Sequence, residues 1–292
     1  MTRLRGSWTA AVAVTLFLLG ACARADAIGA PSESGSPGAS ESGVPAPADQ
    51  LVLRVAQTGG FIGMNTLLTR LPAVSVYADG RVITQGPQIA IYPGPALPNI
   101  QVQLASPATV DGLVEKGRQL GAVGDLGQPN IADATTTEIT VGGRTIAAYA
   151  LNEAQSNDPS LTAAQRAARA KVAAFVDLLT GLPAAQGMPA AQPYQPTAVA
   201  VLAQPWVKPA DDQTSAPAAT PWPGPALPGE YVRPGVKLGC LAVTGDQAGK
   251  VLAAAQDANQ ITPWTSGSAT WSVTFRPLLP DETGCADLQG KR

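Results

Sequence analysis

Two short stretches constrain the fold of this chain more than any other feature. Residues 73–86 read "AVSVYADGRVITQG" and residues 137–149 read "TEITVGGRTIAAY". Each is a pair of β-type runs around a two-residue turn signal, Asp79-Gly80 in one and Gly142-Gly143 in the other. A type I′ turn needs positive φ at both central residues, so these dipeptides predict antiparallel hairpins. The expected registers pair Val76 with Ile83 on one face of the first hairpin and set Ile139 opposite Ile146 in the second.

The segments around these hairpins read as further strands and amphipathic helices. Residues 51–56 and 100–105 alternate enough to be strands. After the second of these, "SPATVDGLVEKGRQL" offers Ser106 as a cap and Pro107 at the first helical position. Val110, Leu113, Val114 and Gly117 then fall on one stripe. A second helix opens on Thr162 and Gln165, in capping-box spacing, and lines up Ala168, Val172, Phe175, Val176 and Leu179. Gly181 and Pro183 end it.

A Pro/Ala/Gln-rich stretch, 183–193, separates this half from a second one. That half contains strand candidates at 197–206 and 236–243, a helix "TGDQAGKVLAAAQDA" with Thr244 and Gln247 in capping-box spacing, and a closing strand "TWSVTFRPL". In the last, Trp271, Val273 and Phe275 share a face. The hexapeptide "PGPALP" occurs at 93–98 and again at 223–228. It admits two readings, a duplication giving two similar subdomains or two unrelated α+β units. The expected fold class is α+β, antiparallel sheets with helices packed on one face, as one composite domain or two packed subdomains, 51–182 and 194–292.

The amino terminus carries Arg3 and Arg5 without an acid, then an apolar run from Trp8 to Leu19 broken only by threonines. That is the length of a signal-peptide core and short of the roughly 20 residues of a membrane helix. The run ends in Leu19-Gly20-Ala21-Cys22, which resembles the lipobox of bacterial lipoproteins. The resemblance covers the first 22 residues and implies removal of residues 1–21, a diacylglyceryl thioether on Cys22, and a protein held at the extracytoplasmic face of the cell membrane. Residues 22–50 are rich in Ser, Gly, Pro and Ala without periodicity, the composition of a disordered tether. Arginine outnumbers lysine 13 to 6 in a chain rich in Ala, Gly and Pro, a bias that resembles that of GC-rich bacterial genomes, and the body resembles secreted proteins of actinobacteria.

Composition narrows the chemistry. Charged residues are 14% of the chain and the formal balance is −2, so there is no basic stripe for nucleic acid. Histidine is absent, which removes Ser-His and Cys-His nucleophiles. No Gly-x-Ser-x-Gly elbow or Ser-x-x-Lys frame occurs. In an exported chain the two cysteines besides Cys22, Cys240 and Cys285, are most simply a disulfide, and once they are paired zinc has no ligand set. No cofactor is expected.

Three candidate features remain. Asp125 and Asp133 flank one loop and would serve a carboxylate-dependent hydrolase, and Asp133 with Glu138 would be the donors for calcium. Trp206, Trp222 and Trp264 stand near prolines in loops, placed to stack on an envelope glycan or grip a peptide. The apolar loop "QTGGFIGMNTLLTRLP" presents Phe61 either to a ligand as a lid or to the underside of a sheet. The expected role is a non-enzymatic binding or structural module of the cell envelope, with a carboxylate hydrolase and a two-lobed solute receptor as alternatives.

Overall fold

The structure, a computed structural model, describes residues 47–208 and 217–289. The expected signal sequence, Cys22 and most of the expected tether lie outside the described residues. Among those described, no helix is long and apolar enough to cross a membrane.

Strand β1 (Leu51–Gly59) buries Leu53 and Val55 and turns Arg54, Ala56 and Thr58 to the other face, the period of two that a sheet demands. A short helix, α1 (Met64–Thr69), follows. The first hairpin is β2 (Val74–Tyr77) and β3 (Arg81–Gln85), and its register differs from expectation: Val76 pairs with Val82, and Ile83 with Ser75. Only Gly80 of the turn pair has positive φ, at 91°. The connection is therefore a three-residue loop, closed by a bond from the Gly80 amide to the Tyr77 carbonyl, and not a two-residue type I′ turn. The slip places Val76 and Val82 on the helix-covered face and sends Tyr77 and Ile83 to the opposite one.

Strand β4 (Ile100–Leu104) runs into α2 (Pro107–Gln119). The Ser106 hydroxyl accepts the Thr109 amide at 3.1 Å, and Val110, Leu113 and Gly117 are buried as the stripe requires. A β-carbon on Gly117 would meet Val141 and Phe175 at 3.0–3.1 Å, so the missing side chain lets α2 sit close to the sheet. The second hairpin, β5 (Thr135–Val141) and β6 (Arg144–Tyr149), sets Ile139 opposite Ile146 across Gly142-Gly143, both with positive φ. Helix α3 (Ala163–Thr180) opens on a complete capping box between Thr162 and Gln165. Its buried Arg169 donates to the carbonyls of Leu126, Tyr149 and Ala150, tying the helix to loops at one end of the sheet.

The stretch expected as a linker is part of the first sheet. The Gln103 amide donates to the Pro183 and Pro189 carbonyls, and β7 (Gln192–Pro193) pairs with β4. The sheet order is β6-β5-β1-β2-β3-β4-β7, with α2 and α3 on one face.

The second sheet contains β8 (Ala198–Pro205), β9 (Thr220–Pro221), β10 (Glu230–Tyr231), β11 (Gly239–Thr244), β12 (Pro263–Ser266) and β13 (Ala269–Pro277), in the order β10-β11-β8-β13-β12-β9. All its pairings are antiparallel except β12 with β9. Helix α4 (Gly245–Gln256) covers one face through Ala248, Val251 and Ala255. Thr244 is its N-cap residue but makes no side-chain capping bond, so the expected capping box is not formed.

The fold class is α+β, with helices α2, α3 and α4 each lying on one face of a mainly antiparallel sheet. Both sheets belong to one compact unit, residues 45–292. They are not topological copies: β1 pairs with the first strand of the hairpin after α2, whereas β8 pairs with the second strand of the hairpin after α4. Both "PGPALP" copies converge on the second sheet's core, where Ala96 and Leu97 pack beside Leu227. The loop from the first sheet is fixed there by bonds from the Ala96 amide to the Ala258 carbonyl and from the Gln260 amide to the Gly94 carbonyl.

Cys240 and Cys285 form a disulfide with a Cα–Cα distance of 6.0 Å. It joins β11 to the last helix, α5 (Cys285–Leu288). Closing a loop across a sequence separation of 45 residues stabilises the fold by about 4 kcal/mol in the chain-entropy model. Denaturant unfolding in the presence of reductant should show a loss of that order, and thiol labelling of the unreduced, denatured protein should leave both cysteines unmodified.

Candidate functional site

The faces of the two sheets that α2, α3 and α4 do not cover enclose a cleft of about 790 Å³, within the range of small-ligand sites. One wall is polar and comes from alternation along β1 and β5, which points Arg54, Thr58, Glu138 and Thr140 into it. The opposite wall is mainly apolar, Met64, Leu67 and Leu68 of α1 with Val232 and Leu288, and Asp287 and Gln289 add polar groups beside Leu288. Arg70 and Arg233 stand at its margins, and Arg276 and Glu282 line it from the end of β13 and the segment beyond.

Two ion pairs build the polar wall. Arg54 grips Asp281 with both terminal nitrogens, at 3.0 and 2.7 Å, and its Nε donates to Ser75 Oγ. Tyr77 Oη donates to the same carboxylate at 2.6 Å. Burial works against the Arg54 charge, but the bond and attraction from Asp281 outweigh it and raise the guanidinium pKa. Burial, and next the Asp281 charge, push the Tyr77 phenol well above its ordinary value. Deeper, Arg276 Nη2 meets Glu282 Oε1 at 2.8 Å, while Glu282 Oε2 accepts the Leu279 amide. Arg276 Nε is buried and has no partner among the described residues.

The remaining cations differ. Among the described residues Arg70 bonds the Gln57 and Gly59 carbonyls, at 3.3 and 3.4 Å, and Arg233 is exposed. Neither is salt-bridged to a carboxylate among the described residues. Glu138 accepts a bond from Thr58.

The structure redistributes the residues singled out from sequence. Trp222 and Trp264 are not ligand-facing: they are buried, Trp264 completely, in a cluster with Phe275, their rings edge-on at 5.6 Å. The Trp222 indole donates to the Pro225 carbonyl, so the neighbouring prolines close over the ring. Trp206 is half-buried at the end of β8, outside that cluster. Phe61 does not pack under a sheet; it is 89% exposed, while Met64 and Leu67 from the same stretch line the cleft.

Asp125 caps a turn, accepting the Gly127 amide and the Gln165 side chain, bonds that lower its pKa. Asp133 is exposed in the loop before β5, and neither aspartate enters the cleft. Among the described residues no three Asp, Glu or Cys side chains converge to hold a metal ion.

Glu138, read from sequence as a calcium donor beside Asp133, lines the cleft without it, and the cleft residues that sequence reasoning missed include Arg54, Arg233, Arg276 and Glu282. Arg54 and Arg276 carry one signal, a charge interrupting an apolar strand in "LVLRVA" and "VTFRPL", whereas Arg233 and Glu282 lie in loops and carry none. No family model, curated protein or solved structure matches this chain.

The raised Tyr77 pKa makes stability depend on pH in a definite direction. Above about pH 10 the unfolded chain loses the phenolic proton that folded Tyr77 keeps, so stability is complete below that pH and falls as pH rises. Tyr194, pushed up to about 12 by burial, adds to the same loss. Tyr77→Phe should cost roughly 1.5–3 kcal/mol at pH 7, the worth of a hydrogen bond to a charged group. It should also flatten the decline between about pH 10 and 11, as read by urea unfolding across that range. An equally steep decline in the variant would show that Tyr77 is not its source.

Proposed function

We propose that this protein is a lipid-anchored binding module at the extracytoplasmic face of the cell membrane, and that its ligand is a short peptide held in the cleft between the two sheets. The observation that carries the reading is the cleft's composition. A polar strand wall faces a mainly apolar helical wall whose Asp287 is engaged by Thr283 and Gly284, and Arg70 and Arg233 at the margins make no salt bridge to a carboxylate among the described residues. An extended peptide with apolar side chains and an acidic group matches both walls and both cations. A glycan would ask for exposed rings to stack on, and Trp222 and Trp264 are spent in the core.

Support for the anchor is the segment Leu19-Gly20-Ala21-Cys22 behind a short apolar core. Support for binding over catalysis is the absence of histidine from the sequence, together with the ion pairing of Asp281 and Glu282, which holds both carboxylates to arginines. With both cysteines in a disulfide, no thiol remains in the described body to act as a nucleophile.

Metabolic labelling with a radioactive fatty acid should mark the parent chain and not Cys22→Ala, which should also leave its normal membrane fraction. An unlabelled parent would dispose of the anchor. For the cleft, a photo-crosslinking amino acid at Leu67 should capture a peptide species in intact cells that the same probe at Lys250, on the exposed face of α4, does not. Equal capture at both positions would sink the binding reading. Replacing Arg70 and Arg233 together by Gln should lower capture at Leu67 severalfold.

A further inference from the structure

Two uncharged loops leave the same end of the first sheet. Strand β1 is antiparallel to β2 and β2 to β3, so β1 and β3 point the same way and the segments after them emerge together. The first exposes Phe61, 89% accessible, with Ile62 beside it. The second exposes Ile89, Ile91 and Tyr92, at 62, 59 and 69%. No acid or base occurs in residues 59–69 or 86–100.

The second tip is held out by a fixed base. The Gly86 amide bonds to the Asn99 carbonyl, the Asn99 side chain returns a bond to the Pro87 carbonyl, and Ala96 and Leu97 are packed into the second sheet's core. An Ile-Ala-Ile-Tyr run presented to water by a pinned loop is a costly surface unless something covers it. Arg70 lies at the base of the first tip, bonded to the Gln57 and Gly59 carbonyls. A cation behind apolar and aromatic side chains is the order in which a membrane interface accepts them, with Tyr at the boundary and Arg at the headgroups.

We infer that the Phe61 and Ile89–Tyr92 loops form a bilayer-contacting surface that dips into the interfacial layer of the membrane. The inference rests on the lipid-anchor reading for the presence of that membrane, but not for the chemistry of the loops. The chain enters the sheet at its far end, where the Ala78 amide bonds the Gln50 carbonyl. The loops thus stand one strand length away, the nine residues of β1 or roughly 30 Å. A chain of the length of residues 23–50 can span at most on the order of 90 Å at about 3.3 Å per residue, enough for a lipid on Cys22 and the loops to reach one bilayer together. Loop contact would turn a loosely tethered body into an oriented one.

The test uses the chain from Ala23 onward, which lacks the acyl group and signal sequence but contains the whole compact unit 45–292. It should co-sediment with phosphatidylcholine vesicles and with vesicles also containing phosphatidylglycerol. Combining Phe61→Ser, Ile91→Ser and Tyr92→Ser should lower partitioning by about tenfold or more. Leu104→Ser is the control: Leu104 is 60% exposed but lies at the opposite end of the sheet, and its loss should leave partitioning unchanged. An unaltered far-ultraviolet spectrum and melting temperature in each variant would exclude unfolding as the cause.

Failure of the parent to sediment, equal binding by the triple variant, or an equal loss in Leu104→Ser would each overturn the inference. So would concentration-dependent dimerisation that the triple variant abolishes without any vesicle binding, which would assign the loops to a second copy of the chain. Because the test protein carries no acyl group, its result is independent of fatty-acid labelling at Cys22.

Discussion

The rest of the structure depends on a seven-residue wedge, 278–284, driven between the two sheets. Its consecutive leucines point apart. Leu278 packs with Ala200, Leu202, Leu238 and Leu68, whereas Leu279 packs with Tyr77, Ile83 and Ile100 of the first sheet. Each buried leucine contributes roughly 1.5–3 kcal/mol. Immediately after them Asp281 is gripped by Arg54 and Tyr77, and Glu282 by Arg276. Desolvated ion pairs add little net stability, but they penalise any arrangement that leaves one charge alone. They therefore fix which strand of the first sheet meets which residue of the wedge. The disulfide closes the device by holding α5 to β11.

The cleft is a by-product of that wedge. Had the sheets packed face to face, Arg54, Thr58, Glu138 and Thr140 would have been buried against apolar side chains at great cost. Instead the wedge, α1 and α5 stand between the uncovered faces, leaving a space with one polar and one apolar wall. The same separation turns the end of the first sheet that bears Phe61 and Tyr92 toward solvent. A body with the cleft proposed for a peptide on one flank and apolar loop tips at one end is suited to work close to the membrane that the lipid on Cys22 is read as entering.

Local rules were readable wherever the determinant was a few neighbouring residues. Ser106 and Thr162 cap the helices that they were expected to cap, and Ile139 faces Ile146 because paired glycines admit one tight turn. Where two local solutions were close in energy, the core chose between them. Asp79-Gly80 suits either a two- or a three-residue loop, and burial of Val76 opposite Val82 selected the latter. Thr244 has a capping residue's spacing and position without its bond. The tryptophans were misplaced for a related reason: a neighbouring proline marks a loop in sequence but does not say whether the loop folds back over the ring, as it does at Trp222.

By itself the sequence determined the fold class, the starts of α2, α3 and α4, the disulfide partners and the chemistry that is excluded, since each follows from composition, a short spacing or the pairing of the only cysteines beyond Cys22. Only the tertiary structure decided the cleft and the loop surface. Arg54 and Asp281 are 227 positions apart, and the loops bearing Phe61 and Ile89 leave the same end of the sheet solely because β1 and β3 run in the same direction. Periodicity in sequence reports which face a side chain takes on its own strand. What lies opposite that face is set by the order of strands and by the wedge between the sheets, and neither leaves a local trace.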